Sequence, residues 1–296
     1  MSKKLMLIVN PAAGRGSYKN NFAEALRELD RGGYTVTVFF TSGRGDAIEL
    51  AAANASEYDT VACIGGDGTL SEVITGLMRC QVRPPLGYFP MGTANDVATT
   101  LGLPKNDCLA AAKRLVSGEA HPFDVGGFGD DAYFAYIAAF GAFTEVSYAT
   151  PQEAKKQLGE AAYLLGAVKS LSTLKSRHVT VEYDDGVLDG EFLYGSMSNS
   201  YSVAGFIDLP REEIGLGDGL HELVLVKKLP NAAAFATLAT KVLSHDLSSE
   251  YIIIKHTRRA RFVFDEPETW TFDGENGGAH SEISFENCPQ AIKLVY

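Results

Sequence analysis

The chain has 296 residues, 46% of them hydrophobic, which is enough for one large or two ordinary domains with a buried core. Its 26 Lys+Arg against 37 Asp+Glu give a net charge of −11. That acidity excludes a general nucleic-acid binder, which needs clustered Lys and Arg, although local backbone dipoles can still hold phosphates.

The first 125 residues alternate strand and helix patterns. Residues 5–9, 35–40, 60–64 and 86–89 form short apolar runs rich in Val, Ile and Phe, each bounded by turn residues. Between them Phe22, Ala25, Leu26 and Leu29 share one helical face, and a second pattern surrounds Leu50 and Ala51. Alternation of this kind predicts a doubly wound α/β domain over 1–125, a parallel sheet with helices on both sides. Ligands of such sheets bind outside the carboxyl ends of the strands. Each predicted strand is followed by a loop of small or turn-forming residues: Asn10-Pro11-Ala12-Ala13-Gly14, Thr41-Ser42-Gly43, Gly65-Gly66-Asp67-Gly68-Thr69 and Pro90-Met91-Gly92-Thr93. All four are expected on one edge.

The texture changes near Asp124-Val125-Gly126-Gly127. Residues 179–183, 191–197, 221–226, 251–254, 261–264 and 280–285 alternate with period two, and turns such as Asp184-Asp185-Gly186 and Asp273-Gly274 separate them. A C-terminal antiparallel β-sandwich domain over 126–296 is predicted, interrupted by helices near 152–176 and 231–244. The last run, 291–296, is a strand able to pair onto either domain.

Gly65-Gly66-Asp67-Gly68-Thr69-Leu70-Ser71-Glu72 is the strongest local signal. Three glycines within four residues clear side chains from a strand-to-helix turn, so phosphates can approach the amides and the helix N-terminus. Thr69 and Glu72, three apart, read as a capping box. An acid at Asp67 in that turn suits a metal, a proton donor or a hydroxyl. Asn10-Pro11-Ala12-Ala13-Gly14 lacks the Lys and Ser/Thr of a Walker loop and on its own is equally a turn. Met91-Gly92-Thr93-Ala94-Asn95-Asp96 reads as a capped helix start, with Asn95 and Asp96 able to bond a base or ribose. Asp218-Gly219 and Asp273-Gly274-Glu275 read on their residues alone as hairpin turns.

Taken together, the set resembles the diacylglycerol-kinase-like lipid kinases, including the bacterial soluble diacylglycerol kinases and their sphingosine-kinase relatives. The motifs are Asn10-Pro11-Ala12-Ala13-Gly14, Gly65-Gly66-Asp67-Gly68-Thr69 and Gly92-Thr93-Ala94-Asn95-Asp96. Downstream, Tyr163-Leu164-Leu165-Gly166 with Lys169-Ser170-Leu171, Asp218-Gly219-Leu220 and Phe272-Asp273-Gly274-Glu275 extend the likeness along nearly the whole chain. Ser71 stands where that family usually has Asn, and Leu209-Pro210-Arg211-Glu212-Glu213 replaces a more usual Pro-x-Ala. The resemblance implies an NAD-kinase-like nucleotide domain and transfer of the γ-phosphate of Mg-ATP to a lipid alcohol, first of all diacylglycerol, giving phosphatidic acid. It implies ATP at Asn10, Pro11, Ala12, Ala13, Gly14, Thr41, Gly66, Asp67, Gly68, Thr69, Leu70, Ser71, Glu72, Thr93 and Asn95. It implies a structural Mg2+ at Asp218 with the carbonyls of Gly215 and Leu220. Glu275 becomes the base, with Asp67 and Asp273 beside it in the chemistry. An NAD kinase-like enzyme on a soluble substrate and a non-catalytic nucleotide-sensing regulator are the alternatives.

Cys63, Cys80, Cys108 and Cys288 are scattered without a C-x-x-C pair, which fits neither zinc nor a disulfide framework and points to a reducing cytoplasm. The longest apolar stretch, residues 135–143, is about half of the ~20 that a spanning helix needs. The segment 153–177 carries Lys155, Lys156, Lys169, Lys175 and Arg177 beside Tyr163, Leu164, Leu165, Leu171 and Leu174. A solvated face over a core stripe is its ordinary reading, and rest on anionic lipid is the other. The expected partners are a lipid alcohol through transient peripheral membrane contact and no nucleic acid, and a homodimer is compatible with the sequence. The six histidines show no metal spacing.

Overall fold

The computed structural model describes residues 2–141, 175–203, 207–210, 212 and 214–296. Two compact units emerge, and each is built around its own sheet region. The first comprises Met1–Val125, Leu216–Asp218 and Cys288–Tyr296; the second comprises Gly126–Gly215 and Gly219–Asn287.

In the first unit, β1 (Lys3–Val9), β2 (Tyr34–Phe40), β3 (Thr60–Gly65) and β4 (Leu86–Pro90) lie parallel in the order β2-β1-β3-β4. Leu294 and Val295 at the chain's end pair in parallel with Leu86 and Gly87. Successive residues of a strand point to opposite faces. Leu5, Leu7, Val9, Ala62, Ile64 and Phe89 therefore share one face, where they cluster with Ala25 and Leu29 of α1 (Phe22–Arg31) and Ala111, Ala112 and Leu115 of α5 (Cys108–Ser117). Met6, Ile8, Val61 and Cys63 on the other face are equally buried, as are Ala47 and Ala51 of α2 (Asp46–Asn54) and Leu70, Val73, Ile74 and Leu77 of α3 (Asp67–Met78). α2 and α3 pack so closely that a Cβ at Gly76 would lie 2.4 Å from the Ile48 carbonyl oxygen. This is the doubly wound arrangement. Residues Ala13–Lys19 form a short 3-10 helix that begins within the Asn10–Gly14 loop.

The second unit is antiparallel. β7 (Ile137–Gly141) and β8 (Arg177–Tyr183) each pair with the same two long strands, β9 (Gly186–Ser198) and β14 (Arg259–Phe272). β14 changes register between Val263 and Glu268, so its first part serves β8 and its last part β7. A bulge of this kind bends a strand, and here the ladder folds over an interior, as in a sandwich. That interior is aromatic: Trp270 is fully buried, with its ring centroid 5.0 Å from those of Phe140, Phe262 and Phe285. Trp270→Ala should cost about 3–5 kcal/mol, a large share of a usual ~5–15 kcal/mol stability, read from the urea midpoint of unfolding.

β12 (His221–Lys227) and β13 (Ile252–Thr257) continue the sheet from β9. On its outer face Ala139, Tyr194, Val224 and Val226 cluster with Leu238 and Val242 of α6 (Ala232–Leu243). The strands at 120–134 were not legible as such. β5 (Ala120–Phe128) turns through Gly129 into β6 (Ala132–Phe134). Its Gly126 is bare because a Cβ there would lie 2.0 Å from the Phe134 ring. Of the helix expected near 152–176, residues 152–174 lie outside the described residues, as do the Tyr163 and Lys169 motifs, Arg211 and Glu213. Lys175 and Ser176 are not helical, and Arg177 of the basic segment opens β8.

Candidate active site

In the order β2-β1-β3-β4 the chain leaves β1 towards one neighbour and later returns on the other side. A crevice opens at such a switch point, outside the carboxyl ends of β1 and β3. Two of the predicted loops meet there. The Asn10 N–H donates to the Ile64 carbonyl at 2.9 Å, its side-chain amide donates to Thr69 Oγ1 at 3.0 Å, and its Oδ1 accepts the Ala12 N–H at 3.0 Å. Asn10 is thus the fastener between the first loop and the glycine turn. Pro11, Ala12 and Gly14 stay exposed beside it, with Gly14 at φ 54.

The glycine turn differs from its sequence reading in one respect. α3 starts at Asp67, two residues before Thr69, with Gly66 in extended backbone as N-cap and no side-chain cap. The capping box is therefore not formed. Thr69 is taken by Asn10, and Glu72 Oε1 accepts the Gly45 N–H at 2.8 Å, which ties the 41–45 loop to α3. A helix N-terminus that carries no side-chain cap, reached through glycines, suits an incoming phosphate. Gly68, Ser71 and Glu72 are half-buried along it. Leu70 is fully buried and its N–H is bonded to the Gly66 carbonyl, so it offers a ligand neither group. The buried Thr41 donates its N–H to the Val9 carbonyl, and Thr93 is exposed.

The fourth loop is locked to the glycine turn through backbone. The Met91 N–H donates to the Gly65 carbonyl at 2.7 Å, and a Cβ at Gly92 would lie 2.5 Å from Gly66 Cα. Gly92→Ala should force the two loops apart, cost about 1–3 kcal/mol by overpacking, and lower both the melting temperature and the stabilisation by added ATP in a thermal melt. Asp67 is buried under this contact. Its Oδ2 accepts the Asp96 N–H at 3.0 Å and its Oδ1 the Val97 N–H at 3.3 Å, at the N-terminus of α4 (Asp96–Leu101). A carboxylate there satisfies open donors and meets the positive end of the helix.

Asn95, at φ 53, is fully buried. Its Oδ1 accepts the Gly92 N–H at 2.9 Å and its Nδ2 donates to the Gly92 carbonyl at 2.8 Å. It shapes the loop from inside, which corrects the expectation that it reaches a base or ribose. Tyr88 was missed in the sequence. Its buried hydroxyl lies 3.3 Å from Asn95 Oδ1, and burial first, then the negative charge of Asp67, hold the phenol far above its ordinary range. It stays a neutral donor. A Tyr inside a fully buried strand needs a partner for its hydroxyl, and that rule was the available signal.

In the second unit, Asp273 and Gly274 form a two-residue hairpin between β14 and β15 (Glu275–Val295), with φ of 49 and 83. Positive φ at both central residues is the type I′ turn that Asp-Gly favours. The Asp273 carboxylate does more than turn the chain: buried, it accepts the N–H groups of Ala135, Tyr136 and Ile137 at 2.6, 2.9 and 3.1 Å. Glu275, directly after the turn, is exposed.

Residues 216–218 are held within the first unit. The Asp124 N–H donates to the Leu216 carbonyl at 2.8 Å, and Gln290 Nε2 donates to the Gly217 carbonyl at 3.1 Å. Among the described residues no three His, Cys, Asp or Glu side chains gather as a metal cluster. A cation on this segment would rest on Asp218 and carbonyl oxygens.

The fold is NAD-kinase-like, and the relatives of the chain indicate a phosphotransferase with an alcohol group as acceptor. Residues 4–128 match the family model of the diacylglycerol kinase catalytic domain. The diacylglycerol kinase of Bacillus subtilis strain 168 is 36% identical over 93% of this chain and 91% of its own length. That of Staphylococcus epidermidis strain ATCC 12228 is 36% identical over 99% and 92%. More particularly, then, the chain belongs to the diacylglycerol kinase family. In fold it is similar to the crystal structure of a diacylglycerol kinase from Bacillus anthracis strain Sterne (TM-score 0.76, 23% identity, 99% and 97% of the two chains). It is also similar to an NAD kinase from Archaeoglobus fulgidus solved with ATP (TM-score 0.56, 16% identity, 99% and 92%).

Proposed function

We propose that the protein transfers the γ-phosphate of Mg-ATP to the free hydroxyl of diacylglycerol, giving phosphatidic acid. The observation that carries the donor is the glycine turn at the switch point, where α3 begins without a side-chain cap between Asn10 and Gly92. Residues 10–14, Thr41, residues 66–69, Ser71, Glu72 and Thr93 surround the phosphates in this reading. Catalysis of phosphoryl transfer is mostly positioning and charge neutralisation. Glu275 takes the hydroxyl proton, Asp273 holds its hairpin, and Asp67 faces the reacting phosphate.

Asp218 with the carbonyls of Gly215 and Leu220 is an all-oxygen donor set, which is the chemistry magnesium accepts. Bound there, the ion would supply charge that fixes the turn. Asp218→Ala should abolish the rise in melting temperature on adding magnesium, a readout independent of turnover. An unchanged response would leave the segment as a plain turn.

A lipid-borne acceptor brings the protein to a membrane surface as a peripheral visitor from the cytoplasm, as a monomer or homodimer. Among the described residues no helix is long and apolar enough to cross a membrane. The test is incubation of purified protein with labelled ATP, magnesium and a panel of dispersed lipids. Label in phosphatidic acid supports the reading, label in another lipid alcohol moves the acceptor, and label only in a soluble acceptor such as NAD overturns it.

A further inference from the structure

Three large hydrophobic side chains among the described residues are mostly exposed, and Phe40, at 54%, is the aromatic one. Exposed apolar side chains are common, so the exposure by itself says little. Its place says more. Phe40 is the last residue of β2, at the carboxyl edge, in register with Val9 and one residue before Thr41. Phe39, beside it, points the other way and packs edge-on against Tyr58 at 6.3 Å. Phe40 follows Tyr34, Val36 and Val38 on the face that packs against the core, yet its own ring stays exposed at the end of the strand.

The loop that follows Phe40 is rigid and open. Asp46 Oδ2 accepts the N–H groups of Ser42 and Gly43 at 2.6 and 3.1 Å, and Glu72 holds the Gly45 N–H. Gly45 takes φ 84, which favours glycine. A Cβ at Gly43 or at Gly45 would meet nothing within 4 Å. The loop next to Phe40 is therefore pinned at its base and empty on its outer side.

β2 lies two strands from β3, across β1. Neighbouring strands are about 4.8 Å apart, so the end of β2 lies about 10 Å along the edge from the end of β3, where the glycine turn begins. That is the reach of a nucleoside triphosphate from its phosphates to its base. We infer that Phe40 is the stacking platform for the purine base of the phosphate donor, with the 41–45 loop as the wall of the base subsite. The inference rests on the donor reading above and adds to it the group that tells a nucleotide from bare polyphosphate. Aromatic stacking tolerates every base because each has a π-face, so Phe40 selects for a nucleoside and not for adenine over guanine.

The test is calorimetric titration of the parent, Phe40→Ala and Phe40→Trp with Mg-ADP and with magnesium tripolyphosphate. The ring is exposed, so the variants should keep the parental melting temperature. Phe40→Ala should bind ADP at least ~10-fold more weakly while tripolyphosphate affinity stays unchanged. Phe40→Trp should keep ADP affinity, and its added fluorescence should be quenched by ADP but not by tripolyphosphate. If the parent binds ADP and Phe40→Ala binds it equally tightly, the inference is overturned and the donor reading survives. If the parent binds tripolyphosphate but no nucleotide, the donor reading falls and takes the inference with it.

Discussion

Glu275→Gln should lower kcat by about 10²–10⁴-fold, the usual worth of a positioned general base, while the Kd for ATP stays at its parental value. The substitution keeps shape and removes only the ability to take a proton. The hairpin that carries Glu275 has supports of its own: the Asp273-Gly274 turn is held by its positive-φ geometry and by the three N–H groups given to Asp273. Backbone pairing of Phe272 with Glu275 is unaffected by the side chain. The melting temperature should accordingly not move. Turnover on the best lipid, measured at saturating ATP, decides the matter. A parental kcat would remove Glu275 from the base role and leave the family membership as it is.

The first unit was legible because its signals are local. Short apolar runs ended by Asn-Pro, Thr-Ser-Gly, Gly-Gly-Asp-Gly and Pro-Met-Gly gave the strands β1 to β4 and the edge on which their loops lie. Helix boundaries depended on contacts between loops, and there the sequence misled. Thr69 and Glu72 have the spacing of a capping box, but Asn10 and Gly45 lie far away in sequence and claim both side chains. Asn95 looked like a ligand residue for the same reason: nothing in a linear reading shows that its amide is enclosed by Gly92 on both sides. β5 and β6 stayed hidden because Gly126-Gly127 breaks the period-two pattern, and the cause is the ring of Phe134 eight residues later. The Asp273 turn was visible as a turn, whereas its grip on residues 135–137 is long-range and was not.

Asp67 is where structure and chemistry compete for one side chain, and paired variants separate them. Its two oxygens accept the Asp96 and Val97 N–H groups and the carboxylate also meets the Tyr88 hydroxyl, while an ionised carboxylate offers about four lone-pair directions. The same group can therefore cap α4 and face a cation or a phosphate. Asp67→Ala should lose both roles: turnover should drop at least ~10²-fold, as removal of a preorganised charge commonly does, and loss of the cap should cost about 0.5–2 kcal/mol. Asp67→Asn keeps one oxygen for one α4 donor and sets its NH2 against the other, so its melting temperature should fall, though less than that of Asp67→Ala. Its charge is gone, however, and it should still lose most of the turnover and need more magnesium for half-maximal rate. Thermal melts and magnesium titrations of kcat on both variants give the answer. If Asp67→Asn recovers parental turnover, the carboxylate is a helix cap alone, and the charge opposite the phosphate must come from another residue.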